Sequence, residues 1–303
     1  MATALRSLAE TDVRNPIPAS VLLAALQTPP FVVVPGTFNT RDLGLLIAGD
    51  DGHGPPAAGA SIRPGFIFRT GGLEALARSA DGQAVLRDTL RIRRIFDLRS
   101  REEHAKSPDP ALDGIEGVWL GDGVDGAEDN PMLNVGLFAD GDGEKGYAHM
   151  YMDVLDKYRA SFREVLTSVR DRPADPIMFH CTAGRDRTGV LAGLLETLAG
   201  YDPQTVQTDF LLSRIGTEVA REHLLAFAVK YSQGAEGGDD GSGAFDEVPG
   251  FYNLVSLKGA CWDAFAEAVR SQYGGFEGYA TKELGFSKHD LATIKKNLNE
   301  APA

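Results

Sequence analysis

The segment from Ile177 to Val190 (IMFHCTAGRDRTGV) constrains the fold more than any other part of the chain. It begins with a short apolar stretch that is typical of a buried strand, and it ends in a run with helical spacing. Cys181 and Arg187 lie between these two, with five residues separating them. A strand, a tight loop and a helix in this order predict an α/β fold with the chemistry at the loop.

The small residues of this loop predict a cradle for a phosphate-like anion. Backbone N–H groups that precede a helix form such a cradle, and the helix dipole favours negative charge there. Thr182, Ala183 and Gly184 allow the backbone to curl closely around the anion. Arg187 offers a planar fork for two of its oxygens, and the same positive field is expected to hold Cys181 as the reactive thiolate.

The other loop residues complete a site for phosphoryl transfer. Asp186 is the candidate general acid and later the base for the attacking water, although a purely structural role in the loop is the alternative. Thr188 is expected to donate a hydrogen bond to the Cys181 sulfur, and His180 to orient the loop. The candidate catalytic residues are Cys181, Asp186, Arg187 and Thr188, and the candidate substrate-binding residues are His180, Thr182, Ala183, Gly184 and Arg185.

Two further polar residues, Asp97 and Arg99, lie at the end of a predicted strand and are assigned a supporting role. A carboxylate at the end of a buried strand ties down neighbouring loops by hydrogen bonding, and a contact to the phosphate loop is the alternative. Cys261 lies on an apolar helical stripe and is interpreted as a core residue. The six histidines show no metal-ligand spacing, so neither a metal nor a cofactor is expected.

Composition limits the partners and the compartment. The chain has 303 residues and a net charge of −13, which argues against nucleic-acid binding and disfavours attraction to anionic membranes. It has only two cysteines, which fits a reducing compartment. Residues 1–16 do not resemble a signal or transit peptide, and no apolar run reaches the ~18 residues of a membrane span. A cytoplasmic protein without a membrane span is therefore expected.

The order of the predicted elements indicates a single α/β domain, with a central, mostly parallel sheet flanked by helices and a helical C-terminal half. Residues 1–30 are predicted to form an N-terminal extension and residues 31–300 the catalytic domain, with insertions at 121–146 and 232–247 that are rich in Gly and Asp. The predicted strands are 31–34, 66–69, 92–98, 118–120 and 177–180, and the main predicted helices are 17–27, 73–90, 147–170, 188–198, 254–273, 276–284 and 288–298.

The loop resembles the signature of cysteine-based protein tyrosine phosphatases. HCTAGRDRTG is similar to the HCxAGKDRTG loop of a bacterial and fungal branch, in which the general acid lies inside the loop. Further segments resemble that branch in the same order along the chain, so that the resemblance spans about residues 31–298. They are Asn39–Gly44 (NTRDLG), Arg63–Gly71 (RPGFIFRTG), Ile95–Glu102 (IFDLRSRE) and the C-terminal YGGFEGYATKELGFSKHDLATI.

The resemblance implies a metal-independent phosphatase that hydrolyses phosphate monoesters through a phosphocysteine intermediate. The implied substrates are protein phosphotyrosine, with phosphoserine, phosphothreonine or phosphoinositides as additional ones. A small soluble phosphate ester as substrate, a non-catalytic phosphate-binding pseudophosphatase and a rhodanese-like sulfur-transfer enzyme are the alternatives. Arg185 departs from the family pattern, which more often has lysine there; it either remains solvated or binds a second anionic group.

Overall fold

The computed structural model describes residues 2–46, 61–121, 135–232 and 248–302. Most of the two predicted insertions lies outside the described residues, at 122–134 and 233–247. The end of the first one is described, and it consists of a 3-10 turn over Val135–Phe138 and the start of a helix at Glu144.

A five-stranded sheet forms the centre of the fold, in the order β1-β2-β5-β3-β4. Its strands are β1 (Arg41–Asp42), β2 (Ile67–Thr70), β3 (Arg94–Asp97), β4 (Glu116–Trp119) and β5 (Ile177–His180). β1 pairs with β2 in the antiparallel sense, and the remaining neighbours are parallel. The mostly parallel sheet and the helices around it confirm the predicted fold class.

The helices flank the sheet and make up most of the C-terminal half. In chain order they are α1 (Ala2–Ala9), α2 (Ala19–Leu26), α3 (Ala80–Ala84), α4 (Arg101–Lys106), α5 (Glu144–Lys157), α6 (Arg159–Asp171), α7 (Asp186–Ala199), α8 (Pro203–Gly216), α9 (Arg221–Ser232), α10 (Phe251–Val255), α11 (Gly259–Tyr273), α12 (Phe276–Lys282) and α13 (Lys288–Asn299). Asp202 caps α8, because its carboxylate accepts hydrogen bonds from two N–H groups of the first turn.

Alternate residues of the buried strands pack into two different cores, as the two-residue period of a strand requires. Ile67, Phe96 and Phe179 belong to the large core, which the C-terminal helices complete. Phe68, Ile95 and Met178 point to the opposite face and join a smaller cluster. Helix α7 is buried on most of its sides and lies against the sheet, so the loop that precedes it is fixed at both ends.

Four elements differ from their predictions: the strand over 31–34 and the helices over 73–90, 147–170 and 254–273. Residues 31–34 do not form a strand: Phe31 makes one bridge to Arg41, and the chain then turns, with the Thr37 N–H bonded to the Val34 carbonyl. The predicted helix over 147–170 is two helices, α5 and α6, because Tyr158 between them leaves the helical conformation. The apolar positions of both helices keep one register, so periodicity does not reveal the break.

The predicted helix over 73–90 is a 3-10 turn (Glu74–Arg78), the short helix α3 and a π-helical turn (Val85–Thr89). The predicted helix over 254–273 is interrupted, because α10 ends at Val255, Ser256 is extended and α11 begins at Gly259.

The N-terminal residues contact the rest of the chain. Helix α1 lies against α8, where Arg6 donates a hydrogen bond of 2.8 Å to the Thr208 hydroxyl. The division into an extension and a catalytic domain stays a prediction. Within the described ranges, no helix combines the length and the apolar character that crossing a bilayer requires.

Candidate active site

The loop from Cys181 to Arg185 joins β5 to α7 at the carboxyl edge of the parallel strands. β5 lies between β2 and β3, so Thr70 and Asp97 end beside His180 at the same edge. The Cys181 side chain is only 2% exposed, at the bottom of the loop. A helix N-terminus above a buried cysteine is the arrangement that favours both an anion and a thiolate.

Side chains outside the loop set the orientation of its peptide groups. Asn39 donates hydrogen bonds to the carbonyls of Ala183 (3.2 Å) and Gly184 (2.9 Å), and Arg69 donates to the Gly184 carbonyl at 2.7 Å. The carbonyl and the N–H of one peptide unit point in opposite directions. Holding these carbonyls therefore turns the N–H groups of Gly184 and Arg185 away from Asn39 and Arg69, as an anion cradle requires.

Glycine at position 184 is required by both conformation and space. Gly184 has a φ of +63°, in the left-handed region that side chains disfavour. A Cβ atom there would lie 2.2 Å from the Thr70 carbonyl oxygen of the neighbouring strand end. The loop can approach β2 this closely only without a side chain at this position.

A buried ion-pair cluster supports the residues that hold the loop. Asp209 of α8 accepts a 2.8 Å hydrogen bond from Arg41 Nε and a second bond from Arg69 Nη1, and Arg41 also donates to Asn39. Burial would raise the pKa of Asp209, but the charges of Arg41 and Arg69 outweigh it and lower the pKa. Burial and the neighbouring Asp209 raise the pKa of Glu196, which lies in the same cluster.

Replacing Asp209 with alanine is expected to destabilise the protein by about 3–5 kcal/mol, because it leaves two buried guanidinium groups without their carboxylate. Thermal or denaturant unfolding measures this loss. Asp88→Ala is the control, since Asp88 pairs with Arg87 at the exposed surface and its loss is expected to leave the unfolding midpoint unchanged. Equal midpoints for the two variants would contradict the supporting role of Asp209.

Arg187 is held by a carboxylate that sequence reasoning missed. Glu103 of α4 receives Nη1 at 2.5 Å and Nη2 at 2.8 Å, which is a bidentate pair, and it also accepts the Thr182 hydroxyl. Burial would raise the pKa of Glu103, but the hydrogen bonds and charge of Arg187 hold it well below its usual range. Among the described residues, none accepts a hydrogen bond from Arg187 Nε, which leaves this donor for a phosphate oxygen.

The sequence does carry a local signal for Glu103. Ser100 caps α4, and the carboxylate of Glu103, three residues later, accepts a hydrogen bond from the Ser100 backbone N–H. Together these two contacts make a capping box. The pattern S-x-x-E predicts the helix start. It does not predict that the carboxylate also reaches an arginine 84 positions along the chain.

Asp186 begins α7 and is held by two donors. Tyr151 donates its hydroxyl hydrogen to Asp186 Oδ1 at 2.8 Å, and Arg185 Nε lies 3.2 and 3.1 Å from the two carboxylate oxygens. Arg185 also donates to the carbonyls of Leu254 and Val255, both at 3.1 Å. The guanidinium of Arg185 is therefore bound within the protein, unlike the solvated or ligand-binding side chain that the sequence left open.

Thr188 makes no hydrogen bond to the sulfur in this arrangement. Its hydroxyl is buried and has no partner among the described residues, Cys181 included. Its role beside the thiolate stays a prediction.

His180 lies behind the loop, in a network with Asp97 and Arg99. Its Nε2 is 2.8 Å from Asp109 Oδ2, and its Nδ1 is 3.3 Å from the Cys181 carbonyl. Both ring nitrogens thus face acceptors, which favours the imidazolium. Burial would lower the pKa of His180, but the hydrogen bond and charge of Asp109 outweigh it and raise the pKa. Arg99 donates to Asp97 and to Asp109 at 2.9 and 2.6 Å.

One group near the loop has the chemistry of a metal site. Potential ligand atoms of Asp97, Asp109 and His180 lie within 4.8 Å of one another, although sequence spacing gave no such indication. Arg99 donates to both carboxylates, so a guanidinium already compensates their charge. The donor set therefore fits an ion-pair network better than a cation site.

Because the pKa of His180 is raised in the folded protein, the free energy of unfolding depends on pH. The cationic form of His180 contributes fully below the ordinary histidine pKa of about 6.5, and this contribution is lost as the pH rises through the raised value. Asp109→Asn removes the charge that raises it. We therefore expect the difference in Tm between the wild type and Asp109→Asn to become smaller as the pH rises from about 6 to 9. A part of the difference does not depend on pH, because the variant also loses the contact between Asp109 and Arg99.

Thermal unfolding across this pH range checks the expectation. The exposed Asp113 provides the control, because Asp113→Asn is expected to show no pH-dependent gap. A gap between Asp109→Asn and the wild type that stays constant with pH would mean that His180 does not titrate as described.

Comparisons with known proteins identify the family of the chain. The sequence profile of the tyrosine phosphatase family matches residues 32–300, and the chain belongs to this family. The chain is 30% identical over 250 residues to the tyrosine-protein phosphatase of Nostoc commune, an alignment that covers 81% of this chain and 79% of that protein.

Two further relatives are similar over shorter stretches. A putative tyrosine-protein phosphatase of Cupriavidus necator is 31% identical over 178 residues, which cover 58% of this chain and 60% of that protein. The triple specificity protein phosphatase PtpB of Mycobacterium tuberculosis is 29% identical over 205 residues, which cover 59% and 68%. The family membership and these names support phosphatase activity, as the sequence resemblance predicted.

Proposed function

We propose that the protein is a metal-independent phosphatase that uses Cys181 as its nucleophile. The observation that carries this proposal is the arrangement around the cysteine: peptide groups oriented by Asn39 and Arg69, and an arginine fork fixed by Glu103. A loose phosphoryl-transfer transition state needs little beyond positioning and charge stabilisation, and this site supplies both.

In the first step, the Cys181 thiolate attacks phosphorus while the bond between phosphorus and the ester oxygen breaks. Arg187 Nε and the N–H groups of the loop bind the three phosphoryl oxygens. Asp186 gives its proton to the departing oxygen, which leaves as an alcohol or phenol. The product is an S-phosphocysteine and an Asp186 carboxylate.

In the second step, a water molecule attacks the phosphocysteine. The Asp186 carboxylate takes a proton from this water, the sulfur–phosphorus bond breaks, and the Cys181 thiolate is restored as inorganic phosphate leaves. His180, Asp97 and Arg99 act from behind the loop, where they hold its backbone. Arg185 acts on the acid through the hydrogen bonds that it makes to Asp186.

Phosphotyrosine in proteins is the substrate that we favour. Two relatives are named as tyrosine-protein phosphatases, one of them putative, and a third is named as a triple specificity protein phosphatase. Phosphoserine, phosphothreonine and phosphoinositides are additional substrates in this proposal. Both cysteines are free thiols, which supports a cytoplasmic location.

A kinetic panel tests the substrate class. It compares kcat/KM for a phosphotyrosine peptide, a phosphoserine peptide, a phosphoinositide and small phosphate esters, each with and without a chelator. We expect the phosphotyrosine peptide to be the best substrate and the chelator to have no effect. Binding of phosphopeptide without turnover would instead indicate a pseudophosphatase, and turnover of thiosulfate alone would indicate sulfur transfer.

Asp186→Asn is expected to slow alkyl phosphates much more than aryl phosphates. An alkoxide needs a proton to leave, whereas a nitrophenolate leaves without one, so loss of a general acid costs about 10²–10⁴-fold only for the poor leaving group. The measurement is kcat/KM for a phosphoserine peptide and for 4-nitrophenyl phosphate. Asp153→Asn on the exposed side of α5 is the control. Equal losses on both substrates would contradict the acid role.

A further inference from the structure

Tyr151 contacts the candidate acid from a position that the signature loop does not include. It lies on α5, is fully buried, and has a ring surrounded by other aromatic rings. Edge contacts to Tyr147, Phe210, Trp262 and Phe265 have centroid distances between 5.3 and 6.5 Å. This packing fixes the direction in which the hydroxyl points.

Within the described part of the chain, the hydroxyl of Tyr151 has one acceptor, Asp186 Oδ1, at 2.8 Å. Burial, and next the charge of Asp186, raise the pKa of Tyr151 well above its ordinary value. The hydroxyl therefore remains a hydrogen-bond donor throughout the pH range of a working phosphatase and does not act as a proton source.

The groups around Asp186 leave its two carboxylate oxygens unequal. Among the described residues, Oδ1 accepts hydrogen bonds from Tyr151 and Arg185, whereas Oδ2 accepts one from Arg185 alone. Arg185 is in turn fixed by the carbonyls of Leu254 and Val255, so it cannot swing freely away from the carboxylate. The oxygen with fewer donors is the one better able to carry and release a proton.

We infer that Tyr151 is a positioning residue for proton transfer, whose hydroxyl binds Asp186 Oδ1 and thereby assigns the transferred proton to Oδ2. The inference rests on the proposed acid role of Asp186. In the first step the proton moves from Oδ2 to the ester oxygen as the phosphorus–oxygen bond breaks, and in the second step Oδ2 takes a proton from water. Tyr151 keeps its own proton in both steps.

Tyr151→Phe tests this inference because it removes the hydroxyl and keeps the ring that packs in the core. Loss of a hydrogen bond to a carboxyl group that acts in the transition state is expected to lower kcat/KM for a phosphoserine peptide about tenfold. The kcat/KM for 4-nitrophenyl phosphate, whose phosphoryl transfer needs no acid, is expected to change by less than about twofold.

A matched control separates this effect from packing. Tyr279 is also fully buried and donates its hydroxyl hydrogen to a backbone carbonyl, that of Leu155, away from the loop. Tyr279→Phe is expected to leave the ratio of the two kcat/KM values at that of the wild type. The thermal midpoints of both variants report any general loss of stability.

The double variant Tyr151→Phe, Asp186→Asn shows whether Tyr151 acts through Asp186. We expect it to hydrolyse the phosphoserine peptide as fast as Asp186→Asn alone, since the hydroxyl then has no acid to position. A further tenfold loss in the double variant, or equal losses on both substrates in Tyr151→Phe, overturns the inference and leaves the acid role intact. Equal losses on both substrates in Asp186→Asn overturn the acid role and the inference with it.

Discussion

Replacing Cys181 with serine is expected to lower kcat for an aryl phosphate by on the order of 10⁴-fold or more, because a serine hydroxyl does not ionise near neutral pH. In the proposed mechanism the Cys181 thiolate forms the bond to phosphorus, and the loop contains no other cysteine and no serine. Release of nitrophenolate and of inorganic phosphate measures the loss. The substitution changes little volume at a site that is 2% exposed, so the fold is expected to be retained.

The second cysteine provides a matched control. Cys261 is also buried, on α11, and its thiol donates to the Asp142 carbonyl at 3.2 Å, a bond that a serine hydroxyl can make. Burial raises the pKa of Cys261 to about 12, so it is not a thiolate at neutral pH. Cys261→Ser is expected to keep its activity. Retained turnover in Cys181→Ser would contradict a cysteine nucleophile.

Arg187→Lys is expected to lower kcat/KM by about 10³-fold although it keeps the positive charge. The arginine uses two nitrogens to bind Glu103 and offers the third to phosphate, whereas a lysine has one ammonium group for both tasks. The same change also loosens the link between the loop and α4. Steady-state kinetics with an aryl phosphate, together with the Kd for inorganic phosphate, measures both consequences.

Arg94→Lys is the control for this substitution. Arg94 is more buried than Arg187, with 7% against 19% of the side chain exposed, and it pairs with Glu116 and Glu164, away from the phosphate loop. Its replacement measures the general cost of exchanging a paired arginine for lysine and is expected to leave kcat/KM within about twofold. If Arg187→Lys and Arg94→Lys lowered kcat/KM equally, the guanidinium group of Arg187 would have no specific part in binding the phosphoryl group.

The fold could be predicted where short stretches of sequence decide it. Strand β5 has the predicted bounds of 177–180, and β2 and β3 lie within one residue of their predictions or inside them. The strand predicted over 31–34 failed because β-branched residues favour a strand only when a partner strand of sufficient length is available, and β1 has two residues. The break at Tyr158 has no sequence signal, since neither glycine nor proline marks it.

Sequence reasoning identified mainly the residues of the candidate site that are contiguous with the loop, together with Asp97 and Arg99 from another segment. Cys181, Asp186 and Arg187 lie within seven positions, and their types and order indicate the chemistry. Glu103 and Tyr151 approach the loop from other elements, and no local pattern links either of them to it. The role of Arg185 depends on the carbonyls of α10, which only the tertiary fold brings within reach.

The most direct test of the phosphocysteine intermediate is to locate the phosphoryl group during turnover. In Asp186→Asn the attack of water is slowed, whereas 4-nitrophenyl phosphate still transfers its phosphoryl group without an acid. We expect a burst of about one nitrophenolate per active site, and peptide mapping after an acid quench to place the phosphoryl group on Cys181. Continued turnover with an unmodified Cys181, or a phosphoryl group on another residue, would contradict the proposed mechanism.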